Sequence, residues 1–240
     1  MTIQKFIILT FFFSLVANGN DMRNENLFRA YVRDVTQTKK DSLQVQADSF
    51  SEMEQLLKKE SSRDGVTPKQ ADRIYRMILN HPVISPHMEP LYDPEDNVGF
   101  CFGRAMFVHL ELLGRGVNRG DIRKAFVVGP LHAEDINWSF HVATTVKGSD
   151  GKWWVIDSPP FGEGVMELTD WYRHQLKFSK DGRLRLYLAN PQQFTPTSLK
   201  YSREILSSPS YRNYFEEMLF DFRMRYDQIQ KFEPSCGSLI

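Results

Sequence analysis

The chain has 240 residues, enough for one ordinary domain with accessory segments, and 41% of them are hydrophobic while 25% are charged. This composition excludes a disordered or collagen-like protein, and 30 Lys and Arg against 30 Asp and Glu give no electrostatic reason to expect nucleic acid as a partner. Two cysteines, Cys101 and Cys236, are too few for a disulfide scaffold or a four-cysteine zinc site.

The first residues have the pattern of a secretory signal. Lys5 precedes an apolar run from Phe6 to Ala17, which at 12 residues is shorter than the roughly 20 that a membrane-spanning helix needs. A small-x-small cleavage site follows at Ala17 and Gly19. These features predict a signal peptide over residues 1–19, a secreted or periplasmic protein, and no stable membrane insertion after cleavage. An uncleaved membrane anchor is the alternative.

Residues 20–96 are polar and contain two helix-like stretches. The first has apolar residues at helical spacing after an N-cap at Asp48 or Ser49. The second opens at Pro68, since proline suits the first helical turn. A proline-rich connection over residues 81–97 indicates extended loop. The whole segment is either a pro-region that covers a cleft and is removed, or an integral helical subdomain.

Residues 97–240 indicate a catalytic domain of mixed structure that ends in helices. A helical run starts at Cys101 and is closed by Gly114 and Gly116, and an apolar helical face lies in residues 197–232. Between them, runs of β-branched and aromatic residues predict strands, and the turn-rich KGSDG predicts a hairpin. The predicted strands cover residues 122–129, 138–146, 152–157 and 183–190. This order predicts an α+β fold with helices packed on one side of an antiparallel sheet.

Cys101 stands at the start of a predicted helix, in the sequence GFCFGRAMF. Helix N-termini present free N–H groups and a partial positive charge, which favour thiolate over thiol and can hold a developing oxyanion. The position predicts a nucleophile, and a small buried thiol is the alternative. Cys236 lies in the tail EPSCGSLI, where it is either a free thiol or a disulfide partner of Cys101.

His141 and Asp157 lie on neighbouring predicted strands. In WSFHVATTV, the period of two puts His141 on the less bulky face, opposite Trp138 and Phe140, where a side chain can meet a cleft. Asp157 ends the next strand, and a carboxylate there is well placed to orient the imidazole of a hairpin partner. The alternatives are a structural histidine and an aspartate that only forms a turn.

The three residues together indicate more than each does alone. A thiol nucleophile needs a base, and the base needs an orienting group. Cys101, His141 and Asp157 supply these roles in an order compatible with one helix packed on one sheet, so they predict a catalytic triad. No pair of histidines has metal-ligand spacing, so neither a metal nor another cofactor is expected.

The segments GFCFGRAM, NWSFHVATTV, GKWWVIDSPPF and TDWY resemble the protein-glutamine glutaminases, secreted deamidases related to the transglutaminase and papain-like cysteine enzymes. The resemblance covers residues 97–175, about a third of the chain. It implies a papain- or transglutaminase-like core with Cys101 at a helix N-terminus as nucleophile, His141 as base and Asp157 as orienting group. The chain departs from the family pattern at Ser158, which separates Asp157 from the prolines.

The activity that the resemblance implies is deamidation of glutamine side chains through a thioester on Cys101. The partner is then a protein or peptide substrate with an accessible glutamine. Trp138 and Trp171 are the expected substrate contacts, although at least two of the four nearby tryptophans, which include Trp153 and Trp154, are expected in the core. A transglutaminase or cysteine peptidase with the same triad, and a non-enzymatic secreted binding module, are the alternatives.

Overall fold

A computed structural model of the chain describes residues 41–58, 65–95, 98–133, 136–194 and 200–232. The predicted signal peptide and Cys236 lie outside these described residues. The α-helices are α1 Ser42–Leu57, α2 Pro68–Leu79, α3 Glu89–Tyr92, α4 Cys101–Gly114, α5 Leu168–Leu176, α6 Arg203–Leu206 and α7 Tyr214–Arg225. The strands are β1 Ile122–Ala133, β2 Ile136–Lys147, β3 Trp153–Asp157, β4 Gly164–Glu167 and β5 Arg185–Ala189. None of the described helices combines the length and the hydrophobicity that a membrane-spanning segment requires.

The five strands form one antiparallel sheet in the order β4-β3-β2-β1-β5. β1 pairs with β2 along nearly its whole length, whereas β3 pairs only with the end of β2, from Thr144 to Lys147. The α+β class, the four predicted strands and the KGSDG hairpin are thereby confirmed. The sequence does not predict β4, because its four residues, GVME, begin with glycine and lack a run of β-branched or aromatic residues.

Helices cover both faces of the sheet, so the prediction of helices on one side only is wrong. On one face, Phe126 and Val128 of β1 belong to a buried cluster with side chains of α2, α4 and α7. On the other, Ala125 and Val127 belong to a second cluster with side chains of α1 and α5. The reason is visible in β1 itself, where apolar residues are consecutive rather than alternating, as a strand buried on both faces requires.

The two N-terminal helices begin where side-chain caps satisfy their first N–H groups. α2 opens as predicted, with a capping box between Thr67 and Gln70. α1 begins earlier than predicted, because Asp41 accepts from the Gln44 N–H and acts as the N-cap. Ser49 instead lies inside α1, where its hydroxyl donates to the Val45 carbonyl and accepts from the N–H of a β5 residue.

α1 and α2 are packed into the same buried clusters as the sheet. Met53 of α1 and Ile74 of α2 are almost fully buried, each on a different face. The described parts of residues 20–96 thus pack against the sheet, and the choice between a removable pro-region and an integral subdomain stays a prediction from the sequence. The proline-rich connection is more structured than the sequence predicts, since it contains a short 3-10 helix, Pro86–Met88, followed directly by α3.

Candidate active site

Cys101 is the first residue of α4 and is half-buried. The chain enters α4 through a tight turn in which Gly99 has a left-handed φ of 58°. A side chain at Gly99 would overlap the ring of Trp138, so only glycine fits there. The Cys101 sulfur therefore stands at a helix start that is held close against β2.

Two carboxylates hold the turn that precedes Cys101. The N–H groups of Val98 and Gly99 donate to Asp93 Oδ2 at 2.8 and 2.7 Å, and the Phe100 N–H donates to Glu89 Oε1 at 2.8 Å. Because these amides already have partners, the Cys101 N–H is the next amide along the chain that an external acceptor can meet. The sequence gives little sign of Glu89 and Asp93, since both lie in the segment predicted as loop.

His141 is buried on β2 beside the end of β3. Its Nε2 lies 2.8 Å from Asp157 Oδ2, and the ring of Phe161 packs at 4.8 Å between centroids. The carboxylate accepts here, so Nε2 carries the proton of this bond. The contact follows from the sheet, because β3 ends at Asp157 and leaves the preceding part of β2 open to side chains on that edge.

Asp157 is held by donors on both of its oxygens. Trp171 Nε1 donates to Oδ2 at 2.8 Å, and the Ser158 N–H donates to Oδ1 at 2.9 Å. A proline in place of Ser158 has no N–H to give, so the departure from the family pattern supplies one of the bonds that fix this carboxylate. Gly162 packs so closely against Asp157 that a Cβ there would overlap the carboxyl carbon.

The two predicted substrate-contact tryptophans differ in their surroundings. Trp138 is half-buried and lines the cleft beside Cys101. Trp171 is fully buried and donates to Asp157, so it supports that carboxylate and does not line the cleft. Trp153 is also in the core, whereas Trp154 is half-buried and donates to Asp150.

The three predicted triad residues influence one another electrostatically. Burial disfavours the charged form of the His141 ring, but the charge and hydrogen bond of Asp157, together with Cys101, raise its pKa to about 9. Nε2 is taken by Asp157, while Nδ1 is buried and has no nitrogen or oxygen partner in the described part of the chain, and the ring lies near enough to Cys101 for the thiol to contribute to its raised pKa. Nδ1 is therefore the ring atom available to exchange a proton with the Cys101 sulfur.

The raised pKa of His141 predicts a pH-dependent stability. The charged ring stabilises the folded state fully below about pH 6.5, the ordinary histidine value, and this contribution of about 3 kcal/mol is lost as the pH rises through about 9. We expect this stabilisation to appear in denaturant unfolding as the difference in the free energy of unfolding between wild type and His141→Gln. That difference should shrink steadily above neutral pH, and a constant offset at every pH would contradict the assignment.

A cleft of about 230 Å³ opens beside Cys101. One wall is apolar and aromatic, with Trp138, Phe140 and Phe161 among its side chains, and prolines complete it. Glu89 and Arg104 lie on the lining as a 2.6 Å ion pair between Glu89 Oε2 and Arg104 Nη1. The position of Arg104, three residues after Cys101 on one helix, is the sequence signal that could have indicated it.

Trp171→Phe tests whether the indole N–H orients Asp157. The substitution keeps an aromatic ring and removes one donor from Oδ2, so we expect turnover to fall about tenfold, as the loss of one hydrogen bond to a charged group implies. The matched control is Trp153→Phe, because Trp153 is equally buried and its indole N–H has no partner in the described ranges. Equal losses of activity in the two variants would mean that packing alone, and not the bond to Asp157, is responsible.

Two other buried histidines, His81 and His109, have partners away from Cys101. His81 Nε2 lies 2.9 Å from Asp221 Oδ2, and its Nδ1 accepts from backbone N–H groups. Burial and the nearby Lys124 and Arg119 lower the pKa of His109 to about 3, so its ring is neutral. Among the described residues, no three His, Cys, Asp or Glu side chains come together as metal ligands.

The geometry can support nucleophilic acyl transfer. A thiol at a helix start, an imidazole with a free nitrogen and a fixed carboxylate are the groups that such chemistry requires. No family model, curated protein or solved structure matches the chain. The family resemblance over residues 97–175 therefore remains a prediction from the sequence.

Proposed function

We propose that this protein is a cysteine amidohydrolase that deamidates glutamine side chains in proteins or peptides. The observation that carries the proposal is the contact from Asp157 to His141, with the second nitrogen of the ring left for Cys101 at the cleft. The signal-like residues 1–19 support an extracytoplasmic location, secreted or periplasmic.

In the first step, the Cys101 thiolate forms a bond to the carboxamide carbon of glutamine. His141 Nδ1 gives its proton to the amide nitrogen, the C–N bond breaks, and ammonia leaves with the bonding electron pair. The products are a thioester on Cys101 and a neutral imidazole. The Cys101 N–H is suited to stabilise the oxyanion that forms on the way, since the preceding amides are engaged by Glu89 and Asp93.

In the second step, water replaces ammonia. The imidazole of His141 accepts a proton from water while the oxygen forms a bond to the thioester carbon. The C–S bond then breaks, the thiolate leaves with its electron pair, and the side chain is released as a carboxylic acid, which gives its proton to solvent and becomes glutamate. Asp157 remains ionised throughout and stabilises the imidazolium by its 2.8 Å hydrogen bond.

The size of the cleft favours deamidation over the alternatives with the same triad. At about 230 Å³ it is smaller than the roughly 300–1,000 Å³ of typical ligand sites, and it suits a glutamine side chain with the main chain next to it better than a long stretch of peptide on both sides of a scissile bond. A peptidase needs room for main chain on both sides of the reacting bond. A transglutaminase needs space for an amine acceptor as well as the glutamine.

The test is the product formed from a glutamine-containing protein. We expect release of ammonia and an equal amount of glutamate, detected by mass spectrometry of the substrate, with no cleavage of its main chain. An added primary amine should not be incorporated in competition with water. Main-chain cleavage supports a peptidase, amine incorporation supports a transglutaminase, and an inert protein that binds its partner supports the binding module.

A further inference from the structure

Arg104 is a buried cation in the wall of the cleft. It lies three residues after Cys101 on α4, and residues at this spacing are neighbours on a helix surface, about 5–6 Å apart at Cβ. Its side chain is only 6% exposed, yet it lines the same cleft as Cys101. Burying a charged group is costly unless hydrogen-bond acceptors satisfy it, so the acceptors around this guanidinium indicate what the cleft can bind.

Glu89 fixes the guanidinium of Arg104 from one side. Its Oε2 accepts from Nη1 at 2.6 Å, and its other oxygen is held by the Phe100 N–H. Among the described residues, Nη1 is the guanidinium nitrogen of Arg104 that bonds to protein. The other two guanidinium nitrogens make no hydrogen bond within the described residues and are not sealed inside the protein. Their N–H groups therefore reach the open space of the cleft.

The charge of the pair decides which acceptor suits these N–H groups. Because Glu89 already neutralises Arg104, a second carboxylate would leave the pair with an uncompensated negative charge in a partly buried site. A peptide carbonyl accepts the same hydrogen bonds without adding charge. The pair therefore favours a neutral acceptor over an anion.

We propose that Arg104 determines substrate specificity by binding a main-chain carbonyl next to the reacting glutamine. The inference rests on the proposed function and identifies the substrate as glutamine within a peptide, flanked on the aromatic side by apolar residues that suit Trp138 and Phe161. Free glutamine, whose α-carboxylate would approach Glu89, is then a poor substrate.

The experiment measures binding to the Cys101→Ala protein, which cannot turn the substrate over. A capped peptide with one central glutamine is compared by calorimetry with two analogues in which an alkene replaces the peptide bond before or after glutamine. With Arg104 present, one analogue should bind about 10- to 100-fold more weakly than the peptide, as the loss of a bond to a charged donor implies. In Arg104→Lys the difference should fall within about threefold, since lysine lacks the planar fork.

Arg76→Lys is the matched control, because Arg76 is 74% exposed and pairs with Asp72 on α2. Arg76→Lys in the Cys101→Ala protein should show the same difference in affinity between the peptide and its alkene analogue as Cys101→Ala alone. A second variant, Glu89→Gln, keeps an acceptor for the Phe100 N–H and removes the charge. It should raise affinity at least about tenfold for a peptide ending in glutamine with a free carboxylate, relative to the same peptide ending in a carboxamide.

The outcomes separate this inference from the proposed function. Ammonia release by wild type together with equal discrimination in Arg104→Lys would overturn the role of Arg104 and leave deamidation standing. Arg104-dependent binding without ammonia release would leave carbonyl recognition standing for a different reaction. Failure of the peptide to bind, or an unchanged carboxylate preference in Glu89→Gln, would also overturn the inference.

Discussion

Replacement of Cys101 by alanine is expected to reduce ammonia release about 10⁴-fold or more, because loss of a triad nucleophile removes the covalent route altogether. The folded state should change little, since Cys101 is half-buried and the smaller side chain leaves the contacts of the preceding turn intact. The measurement is the initial rate of ammonia release from one glutamine-containing protein, alongside thermal unfolding of both variants.

The matched control is Cys236→Ala, which removes the other cysteine of the chain. It should retain full activity, and iodoacetamide should inactivate it as fast as it inactivates wild type. Added substrate should slow the inactivation by iodoacetamide, because it occupies the cleft beside Cys101. Full activity in Cys101→Ala, or loss of activity only in Cys236→Ala, would exclude Cys101 as the nucleophile.

Asp157→Asn is expected to produce the second large effect, a fall in turnover of about 10³- to 10⁴-fold. The carboxylate both orients the His141 ring and supplies the charge that raises its pKa to about 9. Without that charge, burial dominates and lowers the pKa of the ring. The alkaline limb of the activity profile should therefore move from about pH 9 in wild type to below about pH 6.5 in Asp157→Asn.

Asp170→Asn serves as the control for this prediction, because Asp170 is exposed on α5 and pairs only with the nearby Arg173 among the described residues. Its activity and pH profile should match those of wild type. An Asp157→Asn variant that loses activity without any shift of the alkaline limb would mean that Asp157 acts on the fold alone and not through the ionisation of His141.

The sequence predicts the long strands well because their signal is local. β2 and β3 are rich in β-branched and aromatic residues and are joined by a glycine-containing turn, and this hairpin is found as predicted. The start of α1 is harder to predict because Asp41, Asp48 and Ser49 are all residue types that cap helices. Coverage of the sheet on both faces has a local sign in the consecutive apolar residues of β1, but no local pattern records which helices cover each face.

In the candidate site, too, some residues can be identified from local sequence patterns and others cannot. Cys101, His141 and Asp157 can be chosen from the sequence because each stands at a recognisable point of one element, a helix start, a strand and a strand end. Glu89 and Trp171 cannot be assigned their contacts in advance. Glu89 reaches Phe100 from a segment that looks like loop, and Trp171 looks equally suited to a groove or a core until its N–H is found on Asp157.

The most direct test of the central account is to trap the covalent intermediate on Cys101. Wild type mixed with a glutamine peptide and quenched in acid within the first turnover should gain the mass of the peptide less ammonia, and digestion should locate this adduct on Cys101. The adduct should disappear on treatment with hydroxylamine, which cleaves thioesters, and it should be absent from Cys101→Ala. Deamidation of the peptide by an enzyme that forms no such adduct at any quench time would contradict the thioester mechanism.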